Sequence, residues 1–341
     1  MSNKHNFPVD IVYTWVNGSD NNWTSKKNHT LKKYNSIHKS NEVSGKERFK
    51  DNDELKFSLR SINKFCPWVR KIFIVTDDQK PSWLNSNKSN LEIIDHKDIF
   101  DNDNHLPTFN SNAIEMRLHH INGLSKNFLS FNDDFFIGRS CKKEDFFHDS
   151  NTPKIFTSKK KSDNLIELIN PNSSEINNPH RKAVFNSRKL IYDKYGIIIN
   201  YDLIHSIKSL NKNVLLKIEK EFNNTFNQTL NNQFRDNTDT WIMSLYAFYS
   251  IANKINTPFY VPPYRKNFLR YRIPIIRRKR DYVFIPLYLS DKKIISKFNA
   301  VINYKPLTFC VNDSPGVKES ARKISAKYLK EMFPSKSIYE K

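Results

Sequence analysis

"LSFNDDFFIG", residues 129–138, sets three polar residues, Asn132, Asp133 and Asp134, between the apolar runs Leu129–Phe131 and Phe135–Ile137. A carboxylate buried without a partner costs several kcal/mol. Adjacent acids inside an otherwise apolar stretch therefore point to a task at a strand end, such as holding a Mg²⁺ or Mn²⁺ ion against a diphosphate. The plainer alternative is a pair that caps a turn.

Upstream, the residues alternate between strand and helix patterns. Val9–Val16 is rich in β-branched and aromatic residues and stops at Asn17-Gly18, a strand followed by a tight turn. Residues 21–50 are polar and Lys/Asn-rich without clear periodicity, which predicts a loosely ordered insertion. Leu55, Leu59, Ile62 and Cys66 recur at helical spacing, with Asp51 or Asp53 placed to cap the start and Pro67 to end it. "KIFIVTDD" and "LEIIDHKDIF" supply two strands, and "SNAIEMRLHHI" is a helix leading into the strand at 128–131. This alternation predicts an α/β fold: a mainly parallel, Rossmann-like sheet flanked by helices. Ligands of such sheets sit at the carboxyl ends of strands, where Asn17, Asp77 and Asn132–Asp134 all fall.

After about residue 150 the alternation is lost. An α/β core over 1–150 and a mostly helical region over 151–341 are expected. "TSKKKSDN" reads as a linker, and helices are predicted near 182–194, 203–222, 238–253 and 317–333. "YRIPIIRRKRDYVFIPLYL" resembles a basic hairpin, and Leu307–Val311 reads as a strand.

The 341 residues carry 56 Lys plus Arg against 35 Asp plus Glu, a formal charge of +21, which attracts phosphates, anionic polymers or an acidic membrane surface. Cys66, Cys141 and Cys310 are the three cysteines, and their spacing suggests neither a disulfide framework nor a zinc site. The opening residues lack a signal-like apolar stretch, and "WIMSLYAFYSIA" is too short to span a bilayer. A cytoplasmic location is expected, with peripheral contact of the 270–282 hairpin at an anionic inner membrane face. With six glycines and no Gly-rich loop, no P-loop or dinucleotide fingerprint is present. Taken singly, Glu115 reads as a surface charge, His119-His120 and His180 as structural, and Arg235 to Asp239 as a solvated helical ion pair.

Together, "DIVYTWVNGSD", "DNDELKFSLRSINKFCPWVRKIFIVTDDQKPSWL", "HLPTFNSNAIEMRLHHINGLSKNFLSFNDDFFIG", "FRDNTDTWIMSLYAFYS", "CVNDSPG" and "MFPSKSIYE" resemble the conserved regions of the Stealth family. That family contains bacterial capsule and exopolysaccharide hexose-1-phosphate transferases and the catalytic subunit of an animal N-acetylglucosamine-1-phosphotransferase. The resemblance implies a glycosyltransferase-A-like sheet, with residues 1–150 as a nucleotide-sugar-binding core and 151–341 as the acceptor side, and passage of a sugar-1-phosphate from a UDP-sugar to a glycan hydroxyl, leaving UMP. It implies catalytic roles for Glu115 and Asp134, with Asp133 and Asn132 beside them, and Mg²⁺ or Mn²⁺ on Asp133 and Asp134. Trp15, Asn17, Gly18 and Asp20 resemble the nucleotide-side loop, and Arg235 the arginine opening a fourth block. The family histidine, two residues before a proline, has Asn177 at its place, so its role passes to His180 beside Pro179. Arg60 is expected to help Arg235 neutralise the diphosphate. His180 or Glu115 would act as base, or His180 as transient nucleophile. The alternatives are a metal-dependent glycosyltransferase releasing UDP, and a basic protein that binds anionic glycan or nucleic acid. Nucleic acid is not the expected partner, because acids at the strand ends would repel its backbone.

Overall fold

The computed structural model describes residues 5–37, 49–158, 165–170, 178–261, 281–314 and 316–341. Along the chain these form β1 (Val9–Thr14), α1 (Asn21–Ile37), α2 (Glu54–Phe65), β2 (Ile72–Thr76), β3 (Leu91–Asp95), α3 (Ser111–Arg117), β4 (Asn127–Asn132), β5 (Phe135–Ile137) and α4 (Lys143–Phe146). Next come β6 (Phe147–Asp149), β7 (Thr152–Pro153), β8 (Ile155–Thr157), α5 (Pro179–Tyr195), β9 (Lys208–Asn211), α6 (Lys212–Glu221), α7 (Asn223–Leu230) and α8 (Ile242–Ala252). The last elements are β10 (Pro258–Tyr260), β11 (Tyr282–Pro286), α9 (Asp291–Tyr304), β12 (Thr308–Asn312) and α10 (Glu319–Met332).

The main sheet has the order β3-β2-β1-β4-β9. Its first four strands run parallel and β9 closes the edge antiparallel to β4, with Ser130 opposite Lys208. This is the expected α/β, Rossmann-like arrangement. β1 and β2 are buried along almost their whole lengths, as strands covered on both faces must be. On one face, α2 lays Leu55, Leu59 and Ile62 against β1 and β2, each at most 1% exposed. Such a side chain contributes about 1.5–3 kcal/mol by leaving water. The order reverses at the β1/β4 junction, where a crevice opens at the carboxyl ends.

A second sheet, β11-β12-β5, is reached directly from the first. The two residues between β4 and β5, Asp133 and Asp134, carry the chain from one sheet into the other. Phe131 and Phe135 on either side are 0% and 4% exposed. This seam is why carboxylates interrupt an apolar run.

Several expectations are corrected. Residues 21–37 are helix α1, not a loose insertion; residues 38–48 lie outside the described residues. Trp23, Lys27, Thr30 and Tyr34 form its buried stripe, and Lys27 lies over the Trp23 and Phe49 rings at 5.6 and 4.9 Å. Asp53 occupies the N-cap position of α2 in a left-handed conformation without a side-chain cap bond. The helix predicted over 203–222 begins only at Lys212, after strand β9. Residue 150 marks no break in the sheets, because β9 and β12 pair with β4 and β5, strands from before it. Residues 282–286 pair in parallel with β12 rather than in a hairpin, and "RRKR" at 277–280 lies outside the described residues. α8 is buried from Ile242 to Ser250, a core helix as predicted. Among the described residues no helix is long and apolar enough to cross a membrane.

Candidate active site

A cavity of about 440 Å³ opens over the carboxyl ends of the parallel strands. β1 leads into it with Trp15, β2 with Asp77 and the β4–β5 turn with Asn132, Asp133 and Asp134. α3 contributes Ser111 and Glu115, the start of α5 contributes His180, and the segments before β9 and α8 contribute His205, Arg235 and Trp241. Residues far apart in sequence thus converge on the acid pair.

Asp134 is fixed from the second sheet. Its backbone carbonyl accepts from Val311 N–H at 3.1 Å, and its Oδ2 accepts from the Cys310 thiol at 3.3 Å and Asn312 Nδ2 at 3.5 Å. Its buried Oδ1 has no hydrogen-bond partner among the described residues. Burial pushes its pKa up to about 6 against the pull of those donors. Asp133 is pushed well above the usual carboxylate range by burial first, then by Asp134, Glu54 and Asp51. Burial likewise raises Glu54 to about 7. Two crowded acids, one with an orphaned oxygen, suit a hard divalent cation.

Across the cavity, Glu115 Oε2 accepts from Trp241 Nε1 at 2.7 Å. Burial raises Glu115, offset by that bond, Arg235 and Lys208. Arg235 donates to Ser111 Oγ from Nε at 3.0 Å and Nη2 at 2.6 Å. His180 meets the Trp241 ring edge to face at 4.7 Å. His205 is pushed down to about 3 by burial, then by Lys208, His180 and Arg235, so its ring is neutral, and its Nε2 has no partner among the described residues. Lys208, lowered to about 7 by burial, donates to the carbonyls of Ile204 at 2.7 Å and Ser206, clasping the turn that carries His205. His205, Lys208 and Trp241 were not singled out from the sequence.

Family models for Stealth conserved regions 1, 2 and 3 match residues 7–35, 48–155 and 204–252. The chain is also 36% identical over 315 residues to the capsular polysaccharide phosphotransferase fcs1 of Haemophilus influenzae, covering 90% of this chain and 78% of that protein. The chain belongs to the Stealth family. Its similarity to the exopolysaccharide phosphotransferase SCO6023 of Streptomyces coelicolor is 38% over 245 residues, 72% of this chain and 40% of that one. For the Mycobacterium tuberculosis exopolysaccharide phosphotransferase CpsY it is 31% over 347 residues, 98% and 58%. The chain thus spans about two fifths of the length of SCO6023 and less than two thirds of that of CpsY. Among solved structures, the galactosyltransferase LgtC aligns over 96% of both chains at 11% identity and a TM-score of 0.42.

The third Stealth region bears on the histidine. His205 lies inside the match and His180 outside it, in the interval after residue 155. Asn177, the position where the resemblance puts that histidine, lies outside the described residues. Arg235, expected in a fourth block, falls inside the third.

Other expected site residues do not face the cavity chemically. Asp20 Oδ1 accepts from Trp23 N–H at 2.8 Å and caps α1. Asn17 exchanges two backbone bonds with Gln79, and Gly18 N–H donates to Phe49 O at 2.6 Å, an approach that a Cβ would obstruct. These residues shape the turn, while Trp15 lines the cavity. Arg235 does not pair with Asp239, which accepts instead from Asn110, Asn112 and Asn232, because 235–240 is not helical. His119 and His120 both contact Glu219, at 2.7 and 2.8 Å, with Arg117 on its other oxygen, a structural clamp.

Arg60 is the largest displacement from expectation. Its guanidinium forks onto Glu340 at 2.8 and 2.6 Å and onto Phe333 O at 2.8 Å, tying α2 to the segment after α10. It is absent from the cavity wall. Arg60→Ala is expected to cost about 2–3 kcal/mol, because Glu340 loses its partner. Thermal denaturation should show a lower Tm while turnover per folded molecule stays at the wild-type value. A lost turnover would return Arg60 to the site.

Proposed function

We propose that this Stealth protein transfers a hexose-1-phosphate from a UDP-sugar to a hydroxyl of a glycan acceptor in capsule or cell-surface polysaccharide synthesis, releasing UMP. The observation that carries the reading is the seam between the sheets, where Asp133 and the orphaned Asp134 oxygen face neutral His205 and Arg235 across one cavity. The relatives' names, capsular and exopolysaccharide phosphotransferase, support its coarser part, phosphotransfer in polysaccharide synthesis.

Asp133 and Asp134 would hold the Mg²⁺ or Mn²⁺, which when bound supplies charge neutralisation on the diphosphate. Arg235 would fork phosphate oxygens in place of the Ser111 hydroxyl. Trp15 and the β1 end give the nucleotide an apolar wall, and the region beyond residue 150 supplies the acceptor side. The acceptor oxygen attacks the sugar-linked phosphorus, a P–O bond forms, and the bridging P–O bond breaks towards UMP. His205 takes the hydroxyl proton; the donor's negative charge raises its basicity above that of the free site. Glu115, held by Trp241, orients the acceptor. The protein would work in the cytoplasm, peripheral to the inner membrane face.

A donor labelled in its sugar-linked phosphate tests the reaction: the label should pass into the polymer. Label retained in the nucleotide would indicate glycosyl transfer instead.

The acid pair also sets a pH dependence. Asp134 holds its proton to about 6 when folded, against about 4 when unfolded, so the folded chain binds the extra proton between these values and metal-free stability falls as pH rises through them. Above about 6 the Asp134 carboxylate is ionised and open to a cation. Mn²⁺ should therefore raise Tm clearly at about pH 7.5 and scarcely at about pH 4.5. Equal shifts at both would contradict the assignment.

A further inference from the structure

Cysteine spacing gave no hint of a soft-metal site, yet the fold assembles one. One ligand atom each of Asp134, His205 and Cys310 lie within 4.8 Å of one another. We propose that these three side chains form a site for a thiophilic ion such as Zn²⁺, distinct in chemistry from the hard-oxygen pair Asp133–Asp134 but sharing Asp134 with it.

The geometry needs little change. Bonds of about 2.0–2.3 Å in a tetrahedral zinc site put neighbouring ligand atoms roughly 3.3–3.8 Å apart. The Cys310 sulfur already stands 3.3 Å from Asp134 Oδ2, so a side-chain rotation of His205 or Asp134 closes the rest. His205 Nε2 and Asp134 Oδ1 have no hydrogen bonds to break among the described residues. The Cys310–Asp134 bond is given up, with the long Asn312 bond at 3.5 Å if Asp134 rotates, and binding releases the thiol proton to solvent. The resulting thiolate and carboxylate cancel the ion's two charges, and the neutral imidazole completes the set, so no net charge is left in the buried wall. Zn²⁺ outranks Mn²⁺ for such mixed sulfur and nitrogen ligands, whereas Mg²⁺ favours the oxygens. Because Asp134 serves both arrangements, the soft ion displaces the hard one and occupies His205. Zn²⁺ therefore acts as an inhibitor. That inhibitory half rests on the phosphotransfer reading; the binding half does not.

Co²⁺, a spectroscopic stand-in for Zn²⁺, tests the binding. Titrating the metal-free protein with Co²⁺ should produce tetrahedral d–d bands and a thiolate-to-cobalt charge-transfer band. Both should be lost in Cys310→Ser, with circular dichroism showing an unchanged fold, and kept in Cys66→Ser and Cys141→Ser. Those two thiols lie 3.0 Å apart elsewhere in the core and are the competing source of such a band. Absence of the band from the wild type, its survival in folded Cys310→Ser, or its loss in Cys66→Ser alone overturns the site. For inhibition, the Zn²⁺ concentration that halves each variant's own Mg²⁺-supported rate should rise at least about tenfold in Cys310→Ser. Equal sensitivity overturns the inhibitory half. A protein that turns over no UDP-sugar overturns the phosphotransfer reading and leaves the cobalt band to decide the site.

Discussion

Asp134→Ala abolishes transfer in a purified, metal-supplemented assay, lowering turnover by roughly 10³-fold or more, the equivalent of about 4 kcal/mol of lost transition-state charge stabilisation. The fold survives. In the metal-free protein the substitution removes a buried acid whose ionisation is opposed by burial, so Tm at neutral pH holds or rises. The diagnostic is the pairing of two results: no turnover, and no remaining Mn²⁺-induced rise in Tm. Turnover retained at the wild-type rate would place the metal elsewhere, with Asp134 a turn residue after all.

The second large effect is at His205. His205→Gln should lower kcat by about 10²–10⁴-fold, the range for a lost general base, while donor binding changes little. Gln keeps a polar side chain beside Phe135 and Phe284, whose rings lie 5.2 and 5.6 Å from the imidazole. His180→Gln should cost less, since His180 packs on the edge of Trp241 and lies outside the matched third region. A steeper loss at His180 than at His205 would restore the assignment made from the sequence.

How much of this was legible depends on how locally each feature is encoded. β2 is a nearly continuous apolar run, and β1 and β4 are apolar around buried Asp10 and Ser130, because parallel strands are covered on both faces; α2 shows its stripe within one helix. The acid pair was legible for the opposite reason: charge at a buried place. α1 was missed because two of its four inward positions are Lys27 and Thr30, which cation–π contact and a Thr30 bond to Lys26 O satisfy. β9 was absorbed into a predicted helix because four residues carry too little period, and its pairing with β4 is long-range. Arg60 gave no warning that its partner, Glu340, stands 280 residues away. The turn with His205 carries no local pattern of its own, and Cys310 and Asp134 meet it only through the second sheet. Spacing rules read neighbours in the chain, and this site is built from neighbours in space.

The decisive measurement is the nucleotide released when the purified protein is incubated with a panel of UDP-sugars, Mg²⁺ or Mn²⁺ and a glycan acceptor. Attack at phosphorus yields UMP in step with phosphodiester formation. Stoichiometric UDP, with the sugar joined through its anomeric carbon and no phosphorus in the product, would contradict the account.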